Sequence, residues 1–140
     1  MRLARHLLFV VFLGAISLWP VAAQHHEHPA GDPEKLGQVS FPISCSPAVQ
    51  QPFNRAMAML HSFWYAKAEQ EFRAVGEKDP ACAMAYWGVA MTHYRLLWEF
   101  PSAEDLVAGT AAIQKAAATG AKTERERDFI AALKTYYDDV

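Results

Sequence analysis

No apolar run in this 140-residue sequence reaches the roughly 20 residues that a membrane-spanning helix needs. The longest, Leu7–Trp19, has 13 residues. It follows Arg2 and Arg5 and precedes the small residues Val21-Ala22-Ala23, the order of a secretory signal. Residues 1–23 are therefore expected to be a signal peptide with the mature chain starting at Gln24; the alternative is an uncleaved anchor. Basic charge is also scarce. Without Arg2 and Arg5, 11 Lys+Arg stand against 15 Asp+Glu, a net charge of −4. No basic stripe remains, which argues against nucleic acid or an anionic membrane as partner. Cysteine is limited to Cys45 and Cys82. Two cysteines allow a single intramolecular pairing, and an exported chain would meet an oxidising compartment that favours it. The other reading is that both are small buried apolar residues.

The recurrent signatures of catalysis are missing as well. There is no G-x-S-x-G, phosphate-binding loop, H-E-x-x-H or C-x-x-C. Ser44, Ser46 and Ser62 have no activating context, and His61 and His93 are single histidines at helix ends that pack or face solvent. Glu69 and Glu71 are two apart, hence on different sides of a helix, and do not form an acid/base pair. The expectation is a non-enzyme with no resident cofactor.

One stretch carries chemistry of another kind. After cleavage at Ala23 the chain would begin Gln24-His25-His26, with His28 close by. A free amine, two deprotonated backbone nitrogens and the imidazole of a third-position histidine make a square-planar nitrogen set suited to Cu(II) or Ni(II). His25, His26 and His28 are thus the candidate metal ligands. Pro29, Gly31, Pro33 and Gly37 interrupt any period, so residues 24–45 read as a flexible His/Pro-rich arm.

What is present in quantity is helix. With 52% hydrophobic and 20% charged residues, the composition is globular. Ser46-Pro47 caps a first helix whose buried face is Val49, Phe53, Ala56, Met57 and Leu60, with Pro52 a source of a kink. The contiguous aromatics Phe63, Trp64 and Tyr65 mark a corner at which each ring can fill a separate gap. A second helix opens at Ala66 with Ala68, Phe72 and Val75 inward, and stops at Asp79-Pro80. A third runs from about Ala81 to Leu96. Ser102 caps a fourth that ends at Gly120. Thr123-Glu-Arg-Glu forms a capping box for a fifth, with Phe129, Ile130 and Leu133 inward. No segment reads as a strand.

The helices repeat. A shift of 34 residues aligns Phe53 with Trp87, Ala56 with Ala90, Met57 with Met91 and Leu60 with Tyr94, and 34 residues is the period of tetratricopeptide arrays. Ala68-x3-Phe72 followed by Pro80 matches the second half of that motif, A-x3-F…P. The first half, W-x2-L-G-x2-Y, departs at Pro52 and Arg55. With "FPISCSPAVQ", "LHSFWY" and "DPACAMAYWGVAM", the chain resembles the N-terminal portion of exported bacterial tetratricopeptide-repeat proteins. The resemblance implies an all-α fold of antiparallel helix pairs stacked as an α-solenoid over residues 46–140. About two and a half pairs are present, so a longer parent chain is expected. It also implies a periplasmic or secreted scaffold that binds a protein or peptide on a concave face built from the first helix of each pair. On residues 50–61 and 83–96 the positions not needed for packing put Asn54, Arg55, His93 and Arg95 forward as partner-binding residues. Stacked repeats would also place Cys45 beside Cys82. The alternative function is metal handling, or association with an enzyme, through the His-rich arm.

Overall fold

The computed structural model describes residues 36–95 and 99–140, which belong to the compact unit Glu34–Val140. The fold is all-α, and among the described residues there are five helices and no strand: α1 Pro47–His61, α2 Tyr65–Lys78, α3 Ala83–His93, α4 Ala103–Thr119 and α5 Glu124–Asp139. The expected signal peptide and the residues 24–35 of the expected arm, with the metal candidates His25, His26 and His28, lie outside the described residues.

Local chemistry accounts for the helix ends. The Ser46 hydroxyl accepts the Ala48 N–H, and Pro47 occupies the first turn, where no backbone donor is needed. Pro52 sits inside α1 without ending it. The donor it lacks would have served the Ala48 carbonyl, and Lys78 Nζ of α2 donates to that oxygen instead, at 3.3 Å. Ser102 and Asp105 exchange hydrogen bonds in a capping box before α4, and Gly120, at φ 75°, closes that helix.

Turns of three or four residues join α1 to α2, α2 to α3 and α4 to α5. α2 packs on α1 and α3, α4 packs on α3 and α5, and α1 and α5 each touch α3. The central position of α3 explains its composition. Met84, Trp87, Val89 and Thr92 are all buried, so it is apolar all round rather than on one side. Phe72, Ala56, Ala68 and Ala90 are each fully buried where helices cross. Gly88 is glycine because any Cβ there would overlap the Phe72 ring, and Gly109 gives the same room to Tyr137. Tyr137 donates to the Ala90 carbonyl at 2.8 Å, tying α5 to α3.

The expected boundary at residue 45 needs correcting. Residues 36–45 are not a flexible arm but an extended segment packed on the helices. Val39, Phe41, Ile43 and Cys45 alternate inward against the core, while Ser40 and Pro42 are exposed. Asn54 Oδ1 accepts the Phe41 N–H at 3.2 Å. Gln50 accepts the Ile43 N–H at 3.1 Å and donates to the Phe41 carbonyl at 2.9 Å. Arg125 donates to the Pro42 carbonyl at 3.0 Å. Cys45 is joined to Cys82, with Cα atoms 5.0 Å apart. Side chains from α1 and α5 thus give this segment the hydrogen bonds that a sheet would give a strand.

Candidate binding groove

Apolar residues of α1, α3 and α5, several of them also part of the core, meet on one face. Met57, Leu60 and His61 come from α1; Trp87, Met91 and Tyr94 from α3; Phe129, Ala132, Leu133 and Tyr136 from α5. Their spacings of three, four and seven keep each set on one side of its helix. Together with Phe41 they line a groove of about 420 Å³. One end is filled by the Phe41 ring, whose centroid lies 5.7 Å from Phe53, 5.8 Å from Trp87 and 5.4 Å from Phe129. The Arg125 guanidinium covers the Phe41 ring at 4.4 Å, a cation–π contact at the water boundary. At the other end Tyr94 and Tyr136 meet edge to face at 4.7 Å. Burial, with the neighbouring Tyr94, raises the Tyr136 phenol above its ordinary pKa, so it stays a neutral donor.

The residues expected to bind a partner do not share this surface. Asn54 is engaged by Phe41. Arg55 is exposed beside Glu71, Nε to Oε1 at 3.7 Å. His93 is only 7% exposed and joins three helices: its Nδ1 is 2.9 Å from Asp105 Oδ1 of α4, and its Nε2 is 3.4 Å from Glu69 Oε1 of α2. Arg95 Nη2 lies 3.2 Å from Asp105, and Arg73 pairs with Glu69 at 2.6 Å. Asn54 lies close in phase to Met57 and His61, at spacings of three and seven, but is taken up by the Phe41 N–H, whereas Arg55 is turned a further step of about 100° away. Ala58 and Thr92, on the same two helices, are buried. None of Asn54, Arg55, His93 and Arg95 lines the groove, whereas His61 does.

The missed signal was in the repeat itself. The pairs Met57/Met91 and Leu60/Tyr94 that align at an offset of 34 are groove positions on α1 and α3. The same stripe returns on α5 at an offset of 42, as Trp87/Phe129, Met91/Leu133 and Tyr94/Tyr136. The longer interval reflects the connection after α3 and the 17-residue α4.

Among the described residues, no group of three or more His, Cys, Asp and Glu side chains is placed to hold a metal ion, and no helix is long and apolar enough to cross a membrane. The bond between Cys45 and Cys82 is compatible with an oxidising compartment. What the fold and the groove define is an all-α helical protein with an aromatic, apolar groove lined by residues of α1, α3 and α5. No family model, curated protein or solved structure matches the chain.

Proposed function

We propose that this protein is a non-catalytic, exported scaffold, a tetratricopeptide-like α-solenoid that binds a protein or peptide on the face formed by α1, α3 and α5. The observation that carries this reading is the composition of the groove. Met57, Leu60, Trp87 and Leu133 are buried beneath it, and Phe41, Met91, Tyr94, Phe129 and Tyr136 stay partly exposed along it, where a monomeric surface would be polar. Met57 and Met91 suit such a role because an unbranched thioether repacks around different partners. The disulfide supports a periplasmic or secreted location, and the repeat of Met57/Leu60 in Met91/Tyr94 supports the solenoid.

Display of a random peptide library against the whole chain tests the proposal. Enrichment of apolar, aromatic-bearing peptides is expected. It should disappear with Met91→Glu, which places a charge on the groove floor, and persist with Arg55→Ala. If there is no enrichment, or if enrichment is indifferent to Met91→Glu, the groove is not a binding site.

A further inference from the structure

The end of the groove filled by Phe41 differs from an ordinary piece of core. Phe53 and Phe72 are fully buried within the helix layers, whereas Phe41 stays partly exposed and reaches its place on an extended segment. Its main-chain partners are side chains: Gln50 and Asn54 bond the amide and carbonyl of Phe41 and the amide of Ile43. Such contacts read an extended backbone and are indifferent to the side chains it carries. Specificity comes from the alternation of Val39, Phe41 and Ile43 and from the three rings around Phe41. Pro42 lacks a donor, and its environment asks for none, since only its carbonyl is bonded, by Arg125. Proline also holds the preceding Phe41 in the extended region.

We propose that residues 39–43 occupy, within the chain itself, the seat of the partner. The partner would be an extended polypeptide of the pattern apolar-x-aromatic-Pro-apolar, and it would engage only after the arm withdraws. This rests on the groove being a binding site. The groove lining takes in Met57 and Met91 as well as Phe41, so a longer segment entering at the Phe41 seat gains apolar contacts that the arm does not make. The arm competes by proximity. Phe41 is four residues from Cys45, which is bonded to Cys82, and a tether that short gives an effective concentration on the order of millimolar. Apparent affinity for a partner is reduced by the fraction of time the seat stands open.

The probe is the blocked peptide acetyl-Val-Ser-Phe-Pro-Ile-amide, titrated into the whole chain with its disulfide intact and ¹³C-methyl-labelled methionine. Saturable shifts are expected at the Met57 and Met91 methyls. Binding should be at least about tenfold tighter to Phe41→Ala, because the arm keeps the seat occupied more than nine-tenths of the time, and the peptide with Ala for Phe should bind far more weakly. Hydrogen exchange on the parent chain needs no variant: bound peptide should speed exchange at the amides of Phe41 and Ile43. Weaker binding to Phe41→Ala, or exchange at those amides unchanged or slowed, would make Phe41 a wall of the groove and overturn the proposal while leaving the groove as a binding site. Displacement of the peptide by myristate, or peptide-independent dimerisation seated on Met91, would assign the seat to an acyl chain or a second copy and also overturn it. Loss of the library enrichment described above is the separate result that removes the groove reading itself.

Discussion

Glu126 shows how far one side chain can act from where its sequence context places it. Three residues after Thr123, it occupies the position of a capping-box glutamate, and its N–H does bond the Thr123 hydroxyl at 3.3 Å. Its carboxylate, however, is 1% exposed and reaches across to Ser44, accepting that residue's N–H at 2.6 Å and its hydroxyl. Burial pushes the carboxyl pKa up, but the bonds from Ser44 and then Thr123 outweigh it, and the group stays below its ordinary 4.5. Asp105 is lowered in the same sense, chiefly by His93, against the opposing effect of burial. A folded-state pKa below the unfolded one stabilises fully above the unfolded value, and the contribution is lost as pH falls through the folded value. Stability should therefore be insensitive to these groups above about pH 5 and fall below pH 4.5. The urea midpoint of Glu126→Gln, followed from pH 6 to pH 3, is expected to fall less steeply with acid than that of the parent chain. The same slope in both would show that Glu126 carries no such linkage.

At the level of the elements, the corner between α1 and α2 is the most instructive. Ser62, Phe63 and Trp64 close α1 in a Schellman turn: the Phe63 N–H bonds Leu60 O at 3.1 Å and the Trp64 N–H bonds Met59 O at 3.0 Å. The residue after the cap in that turn is left-handed and usually glycine, yet here it is Phe63, at φ 61°. Phe63 is 50% exposed and Trp64 38%, so the expectation that each ring of the triplet fills a gap holds only for Tyr65, which packs on the core. Phe63→Gly should raise stability by about 1 kcal/mol by removing the left-handed cost. Thermal denaturation checks it, and a decrease would mean that the edge-on contact of Phe63 with Tyr65 outweighs the backbone strain. The caps at Ser46, Ser102, Thr123 and Gly120 were legible because each is a short-range bond between neighbours. The end of α3 was not, since its apolar composition sets no phase.

For the whole molecule, the covalent link between Cys45 and Cys82 joins the extended segment to the start of the central helix. Beside it, Asp79 accepts the Ser46 N–H at 2.8 Å, bracing the same corner. The bond closes a loop with 36 residues between its cysteines, and by the chain-entropy model it stabilises by about 3–4 kcal/mol. Replacing both cysteines with serine should lower the unfolding free energy by that amount in denaturant titration. A loss under about 1 kcal/mol would mean that Glu126, Gln50 and Asn54 hold residues 36–45 in place without it.

The sequence by itself determined the all-α class, the five helices to within a few residues, their caps, and the burial of Phe72, Ala56, Ala68 and Ala90. These follow from periodicity and from contacts between near neighbours. It also brought Cys45 and Cys82 forward as a pair, although spacing alone left a second reading open. Only the tertiary structure decided which stripe of each helix faces the groove, because a shift of one residue turns a helix face by about 100°. It decided likewise that residues 36–45 are bound rather than free, since their partners Asn54, Cys82, Arg125 and Glu126 lie between 13 and 83 residues away. His93 shows the same physics. A histidine at the end of a helix reads as a surface group until Glu69 and Asp105 arrive from the two neighbouring helices to enclose it.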